Sequence, residues 1–176
     1  MFRFLVIIFS ILNFSCSAVS REENPYFYYV MCKYAQYNKD YKSAEELCEK
    51  VVSLLPETRK AYQEVINIIQ KEGKTDKYLN YLKIYSQKFH KPEDFLFVAK
   101  KYEQINKFDE ALKVLEKAKK LYPNNPDISA YLVDIYSKKK DIEKMESQLK
   151  ELLKNPKFKN KAGAYFLLAK LEIMRS

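Results

Sequence analysis

Residues 92–125 read PEDFLFVAKKYEQINKFDEALKVLEKAKKLYPNN, and the placing of small and apolar side chains in this stretch decides the fold. Counting Pro92 as the first place, Phe95, Val98, Ala99, Tyr102, Ala111, Leu115, Ala118 and Pro123 fall at places four, seven, eight, eleven, twenty, twenty-four, twenty-seven and thirty-two. Intervals of three and four gather each group on one face of a helix. The small residues Ala99 and Ala111 let two antiparallel helices approach closely, and the larger ones fill the seam between them. Pro123 stops the second helix, because it has no N–H to donate and its ring clashes with the preceding turn.

The same frame recurs along the chain. From Pro25 these places hold Tyr28, Met31, Cys32, Ala35, Ala44, Cys48, Val51 and Pro56. From Arg59 they hold Tyr62, Val65, Ile66, Ile69, Tyr78, Leu82, Tyr85 and His90, where the apolar pattern survives and the small residues lapse. From Pro126 they hold Ser129, Leu132, Val133, Tyr136, Met145, Leu149 and Leu152, with Pro156 one residue early. The starts at 25, 59, 92 and 126 lie 34, 33 and 34 residues apart, a constancy that an unrelated helical bundle has no reason to keep. Polar breaks at Asn38-Lys39-Asp40, Glu72-Gly73-Lys74-Thr75 and Asn106-Lys107 fall where each pair of helices must turn. With two glycines and six prolines in 176 residues, the chain has little material for the turns of an all-β fold.

These positions resemble the tetratricopeptide repeat, the third unit at all eight signature places. The resemblance implies an all-α fold, a right-handed solenoid of about four helix-turn-helix repeats over residues 25–58, 59–91, 92–125 and 126–159. A closing helix over 160–176 is expected to cap it, with Tyr165, Leu168 and Ala169 inward and a polar outer face carrying Lys161, Lys170 and Arg175. The repeats fill residues 25–176 as one domain and leave no room for a second.

The first fifteen residues differ from all that follow. Arg3 precedes an apolar run, Phe4 to Phe9, continued by Ile11, Leu12 and Phe14, the pattern of a signal peptide and too short and interrupted for a permanent membrane span. Leu12-Asn13-Phe14-Ser15-Cys16 resembles a relaxed bacterial lipobox, with Asn13 and Phe14 as departures, and implies lipidation at Cys16. Ordinary cleavage after Ala18 or Ser20 is the alternative, giving a soluble periplasmic protein. Residues 16–24 then read as a lipidated tether spanning roughly 15 Å by coil scaling, and several acyl chains would hold the protein at the membrane.

Little in the sequence points to catalysis. His90 is the single histidine, and it is expected at a helix end, among exposed carbonyls. No phosphate loop, paired-cysteine metal motif or Ser-His-Asp set can be read, so neither an enzyme nor a bound cofactor or metal is expected. Cys32 and Cys48 both face the seam of the first repeat. Export would allow a disulfide, but those two places need not meet its distance limits, and free buried thiols are the preferred reading. Net charge is +9, and +8 once Arg3 is removed with the signal. Export argues against nucleic acid, and the dispersed lysines read as a solvated surface with weak attraction to anionic lipid.

In the tetratricopeptide family the first helix of each repeat lines a groove with places two, five, nine, twelve and thirteen. The resemblance carries these onto Tyr26, Tyr29, Lys33, Gln36 and Tyr37, then Lys60, Gln63, Asn67, Gln70 and Lys71. Glu93, Leu96, Lys100, Glu103 and Gln104 follow, then Asp127, Ala130, Asp134, Ser137 and Lys138. Tyr26, Tyr29, Lys33, Tyr37, Gln63, Asn67, Leu96, Lys100 and Asp134 are the candidate partner contacts. Tyr29 and Glu64 stand where a two-carboxylate clamp needs other side chains, so a chaperone-tail receptor is not implied. The organisation is similar to that of repeat-bearing envelope lipoproteins, including one of the outer-membrane barrel-assembly machinery and the pilotins of secretion systems. It implies a membrane-anchored adaptor for a protein partner of unknown identity; an envelope enzyme acting on glycan or lipid is the other class.

Overall fold

A computed structural model describes residues 24–173. The described chain is all-α: α1 (Pro25–Tyr37), α2 (Tyr41–Leu54), α3 (Arg59–Glu72), α4 (Thr75–Lys88), α5 (Pro92–Glu103), α6 (Phe108–Leu121), α7 (Pro126–Lys138), α8 (Ile142–Lys154) and α9 (Lys161–Ile173). The signal-like segment and Cys16, and Arg175 of the expected cap, lie outside the described residues. No described helix is long and apolar enough to cross a membrane.

The helices start where local chemistry tells them to. Asn24 and Asn125 cap α1 and α7, each carboxamide oxygen accepting two backbone N–H groups of the first turn, with Pro25 and Pro126 next in line. Proline costs nothing there, because the first-turn N–H groups have no partner within the helix. Asp40 and Asp141 cap α2 and α8 by accepting from the backbone N–H of Ser43 (3.1 Å) and Lys144 (3.2 Å). The loops between paired helices each pass through one left-handed residue, Lys39, Gly73, Asn106 and Lys140.

The chain divides into two compact units, broken between Thr75 and Asp76. One domain over 25–176 was expected. A chain of repeats has no common centre, so it can separate into compact units without a second kind of fold. It falls inside the second repeat, the one whose signature places lapse.

In the first unit α2 packs against both α1 and α3. Its core is Cys32, Ala35, Ala44, Cys48, Val51, Ala61, Tyr62, Val65, Ile66, Ile68 and Ile69. Cys32 and Cys48 are joined as a disulfide, Cα to Cα 5.5 Å, which corrects the expectation of free thiols. The seam between α1 and α2 is close enough at these places, where Ala35 and Ala44 allow the helices together, to meet the disulfide distance. Beside it Lys74 Nζ lies 2.5 Å from Glu45 and 3.0 Å from Glu72.

In the second unit a continuous core runs from Phe95 and Ala99 through Ala111, Leu115, Ala118, Ile128, Leu132, Ile135 and Leu149 to Ala164 and Leu171. Asp94 is buried in the first turn of α5, where it accepts from the Tyr85 hydroxyl (2.7 Å) and from the backbone N–H of Lys91 (3.0 Å). His90 lies beyond the end of α4, which stops at Lys88. Its carbonyl accepts the Tyr122 hydroxyl (2.7 Å) and its ring sits 6.3 Å from that of Phe95.

The closing helix departs from expectation. Ala164 and Leu171 of α9 are buried, while Tyr165, Phe166, Ala169 and Ile173 are exposed alongside Lys161 and Lys170. Its outer face mixes these apolar side chains with Lys161, Lys170 and Glu172, where a polar face was expected. A helix with apolar side chains on several sides buries whichever its neighbours cover and leaves the remainder bare.

Candidate functional site

The first unit carries a cleft of about 270 Å³ at the start of α1. Pro25, Tyr26 and Tyr29 of α1 form one wall, Val51 and Leu55 at the end of α2 the floor, and Thr58, Lys60 and Ala61 at the start of α3 the other wall. The sequence makes this shape directly. Leu55-Pro56 ends α2 and α3 restarts at Arg59, so side chains from the turn and from the starts of α1 and α3 meet around one hollow. The lining is almost wholly carbon, with the Lys60 side chain exposed at its edge. Such a hollow accepts an apolar side chain, and the tyrosine hydroxyls and Lys60 offer polar contacts around it.

Of the candidate contacts, the structure brings Tyr26 and Tyr29 to this cleft, together with Lys60. Val51, Leu55, Thr58 and Ala61 also line it and were not among the candidates, since Val51 belongs to a second helix and Leu55 and Thr58 to the turn after it. Pro56 was the one signal available, marking where the floor must end. Tyr37 is exposed at the far end of α1. Lys33 is engaged within the unit, its Nζ 3.1 Å from Glu64 on α3 and 3.4 Å from the Gln36 side chain. Gln63 and Asn67 are half-buried on α3.

In the second unit the candidates meet a charged network instead of a hollow. Asp134 is ion-paired with Lys138 (2.7 Å), which also reaches Glu103, and the Tyr131 hydroxyl donates to the same carboxylate. Burial pushes the Glu103 carboxyl up, but the Lys138 ammonium and the Tyr131 hydroxyl more than offset it and hold the group below the usual glutamate range. Burial, and then Glu103, drive the Tyr131 phenol far above its ordinary value. Leu96 packs at the edge of the core and Lys100 is exposed. An open hollow of about 370 Å³ elsewhere in this unit contains Lys119, whose Nζ is already paired with Glu151 at 2.7 Å. Among the described residues no group of three His, Cys, Asp or Glu side chains is placed to hold a metal.

This arrangement of paired helices is that of tetratricopeptide-repeat proteins, as the solved structures show. MamA matches with a TM-score of 0.60 at 15% identity, over 86% of this chain and 84% of that one. YrrB, a TPR protein with an unusual peptide-binding site, matches at 0.58 and 12% identity, over 88% of this chain and 79% of that one. TTC0263, a thermophilic TPR protein in Thermus thermophilus, matches at 0.55 and 15% identity, over 86% of this chain and 82% of that one. The fold is therefore an all-α helical repeat of the tetratricopeptide type. No family model matches the sequence, and no curated protein does.

Proposed function

We propose that this chain is a membrane-anchored, non-catalytic adaptor of the bacterial cell envelope that holds a partner protein by an apolar side chain seated in the cleft that Tyr26 and Tyr29 line. The observation that carries the reading is the carbon-lined cleft at the start of α1, open to solvent and free of any catalytic constellation. Two facts support its wider setting. Disulfides such as Cys32–Cys48 persist in oxidising compartments, which supports export. The lipobox-like Leu12 to Cys16 gives a site for the anchor. Peptide binding by YrrB, a protein of the same fold, supports a peptide as the ligand class.

The test is photocrosslinking in intact cells from a reactive residue at position 26, with and without Tyr29→Ala. Tyr29→Ala is expected to lower capture of the partner by about tenfold, as loss of an interface aromatic does, while far-ultraviolet circular dichroism stays unchanged. Equal capture by the variant disposes of the cleft as the binding site.

A further inference from the structure

The side of α1 turned away from the core is bare, and it is apolar along its length. Phe27, Val30, Tyr34 and Tyr37, spaced by three, four and three, share one face of the helix. Their exposures are 38%, 63%, 62% and 84%, while Cys32 and Ala35 on the opposite side are buried. A contiguous apolar face of this kind is uncommon on a free surface.

In the second and fourth repeats the corresponding face is covered by a neighbouring helix. At the places of Phe27, Val30 and Tyr34, α3 carries Ala61, Glu64 and Ile68, all buried, and packs on α2. At the same places α7 carries Ile128, Tyr131 and Ile135, buried or half-buried, and packs on α6. In α1 the corresponding side chains have no preceding pair among the described residues, yet they are larger and more aromatic than their counterparts in α3.

Three features name the occupant. Only eight residues, 17–24, separate Cys16 from α1, and eight residues reach at most about 28 Å even fully extended. An anchor at Cys16 therefore keeps the start of α1 within about that distance of the bilayer, in reach of its surface. Tyrosine and phenylalanine suit the headgroup boundary, with rings in the acyl region and hydroxyls toward water. The helix contains no acidic residue and one lysine, Lys33, and the exposed Lys39 and Lys42 that follow it outnumber the exposed Asp40 between them, a positive balance that suits an anionic lipid surface.

We infer that the Phe27, Val30, Tyr34 and Tyr37 face of α1 docks into the interface of an anionic phospholipid bilayer, so that the first repeat lies on the membrane instead of hanging from its tether. The inference rests on the anchored reading above, and one experiment separates the two. The full chain is produced in bacterial cells fed an alkyne-bearing fatty acid, which reports acylation at Cys16. The isolated membranes are then loaded with a photoactivatable phosphatidylglycerol, and adducts are mapped by mass spectrometry.

Adducts are expected within residues 25–37. Val30→Glu combined with Tyr34→Glu should lower them about tenfold without altering acylation. The milder pair Val30→Gln and Tyr34→Gln, with retention of the Cys32–Cys48 disulfide, controls for folding. Acylated chain with no adducts in α1 overturns the docking and leaves the anchor standing. Adducts in α1 without acylation overturn the anchor and leave the docking. Absence of both disposes of each, and crosslinks from α1 to a second copy overturn the docking in favour of self-association.

Discussion

Place fifteen of each helix pair sits in the left-handed region, at Lys39 (φ 60°), Gly73 (71°), Asn106 (58°) and Lys140 (58°). A side chain with a Cβ is strained there, glycine is not, and asparagine is intermediate. Gly73 has open space where a Cβ would stand, so Gly73→Ala isolates the backbone cost and is expected to lower stability by about 1 kcal/mol. Lys39→Gly and Lys140→Gly should each raise it by about 0.5–1 kcal/mol. Urea denaturation of the three variants checks the set, and a loss of stability in either lysine variant would show that its side chain outweighs the strain. Nearby, the Glu45 carboxylate, burial and only then opposing Lys74 act on Glu72, and together they raise its carboxyl above the ordinary 4.5. A raised carboxyl contributes stability that is complete below 4.5 and is lost as pH rises through the folded-state value. Glu72→Gln removes that loss. The variant should melt above the parent at pH values well above the folded-state value, and the gap should close as pH falls toward 4.5; a gap that widens on acidification refutes the upward shift of Glu72.

The junction of α4 and α5 shows how one element start is held. Asp94 is 1% exposed, and its two oxygens serve the Tyr85 hydroxyl and the Lys91 N–H. Removing a buried acceptor strands its donors, so Asp94→Ala is expected to cost about 2–3 kcal/mol and Tyr85→Phe about 1 kcal/mol. Thermal unfolding of both singles and the double gives the coupling, and strict additivity would mean that the two groups do not interact. In the sequence Asp94 is an ordinary first-turn acid, and nothing in its spacing marks it as buried. The helical class was legible because it follows from periodicity, which needs only one chain segment at a time: the odd helices α1 to α7 begin at Pro25, Arg59, Pro92 and Pro126. What was not legible depends on distances between segments. Cys32 and Cys48 needed a Cα separation of 5.5 Å, which place numbers do not encode. Lys33, read as a partner contact, turned out to face Glu64 thirty-one residues away. For the cleft, Tyr26 and Tyr29 could be read because they lie on a first helix; Leu55 and Thr58 could not, because a turn carries no period.

For the whole molecule the division at residue 75 has a thermodynamic consequence. In a repeat chain stability is a sum of local terms and nearest-neighbour contacts, so a perturbation confined to one segment need not travel. The disulfide closes a sixteen-residue separation wholly within the first unit, and a loop of that size contributes about 3 kcal/mol by restricting the unfolded chain. The large apolar core from Phe95 to Leu171 lies wholly in the second unit. Reduction should therefore raise amide exchange in α1 and α2 by about a hundredfold, the equivalent of that stabilisation, while α6, α7 and α8 keep their protection. Hydrogen exchange with mass spectrometry, on reduced and oxidised protein in mild urea, reads both units at once. Equal loss across α6 to α8 would mean that the chain unfolds as a single cooperative body, and the local summation would then be the wrong description of its stability.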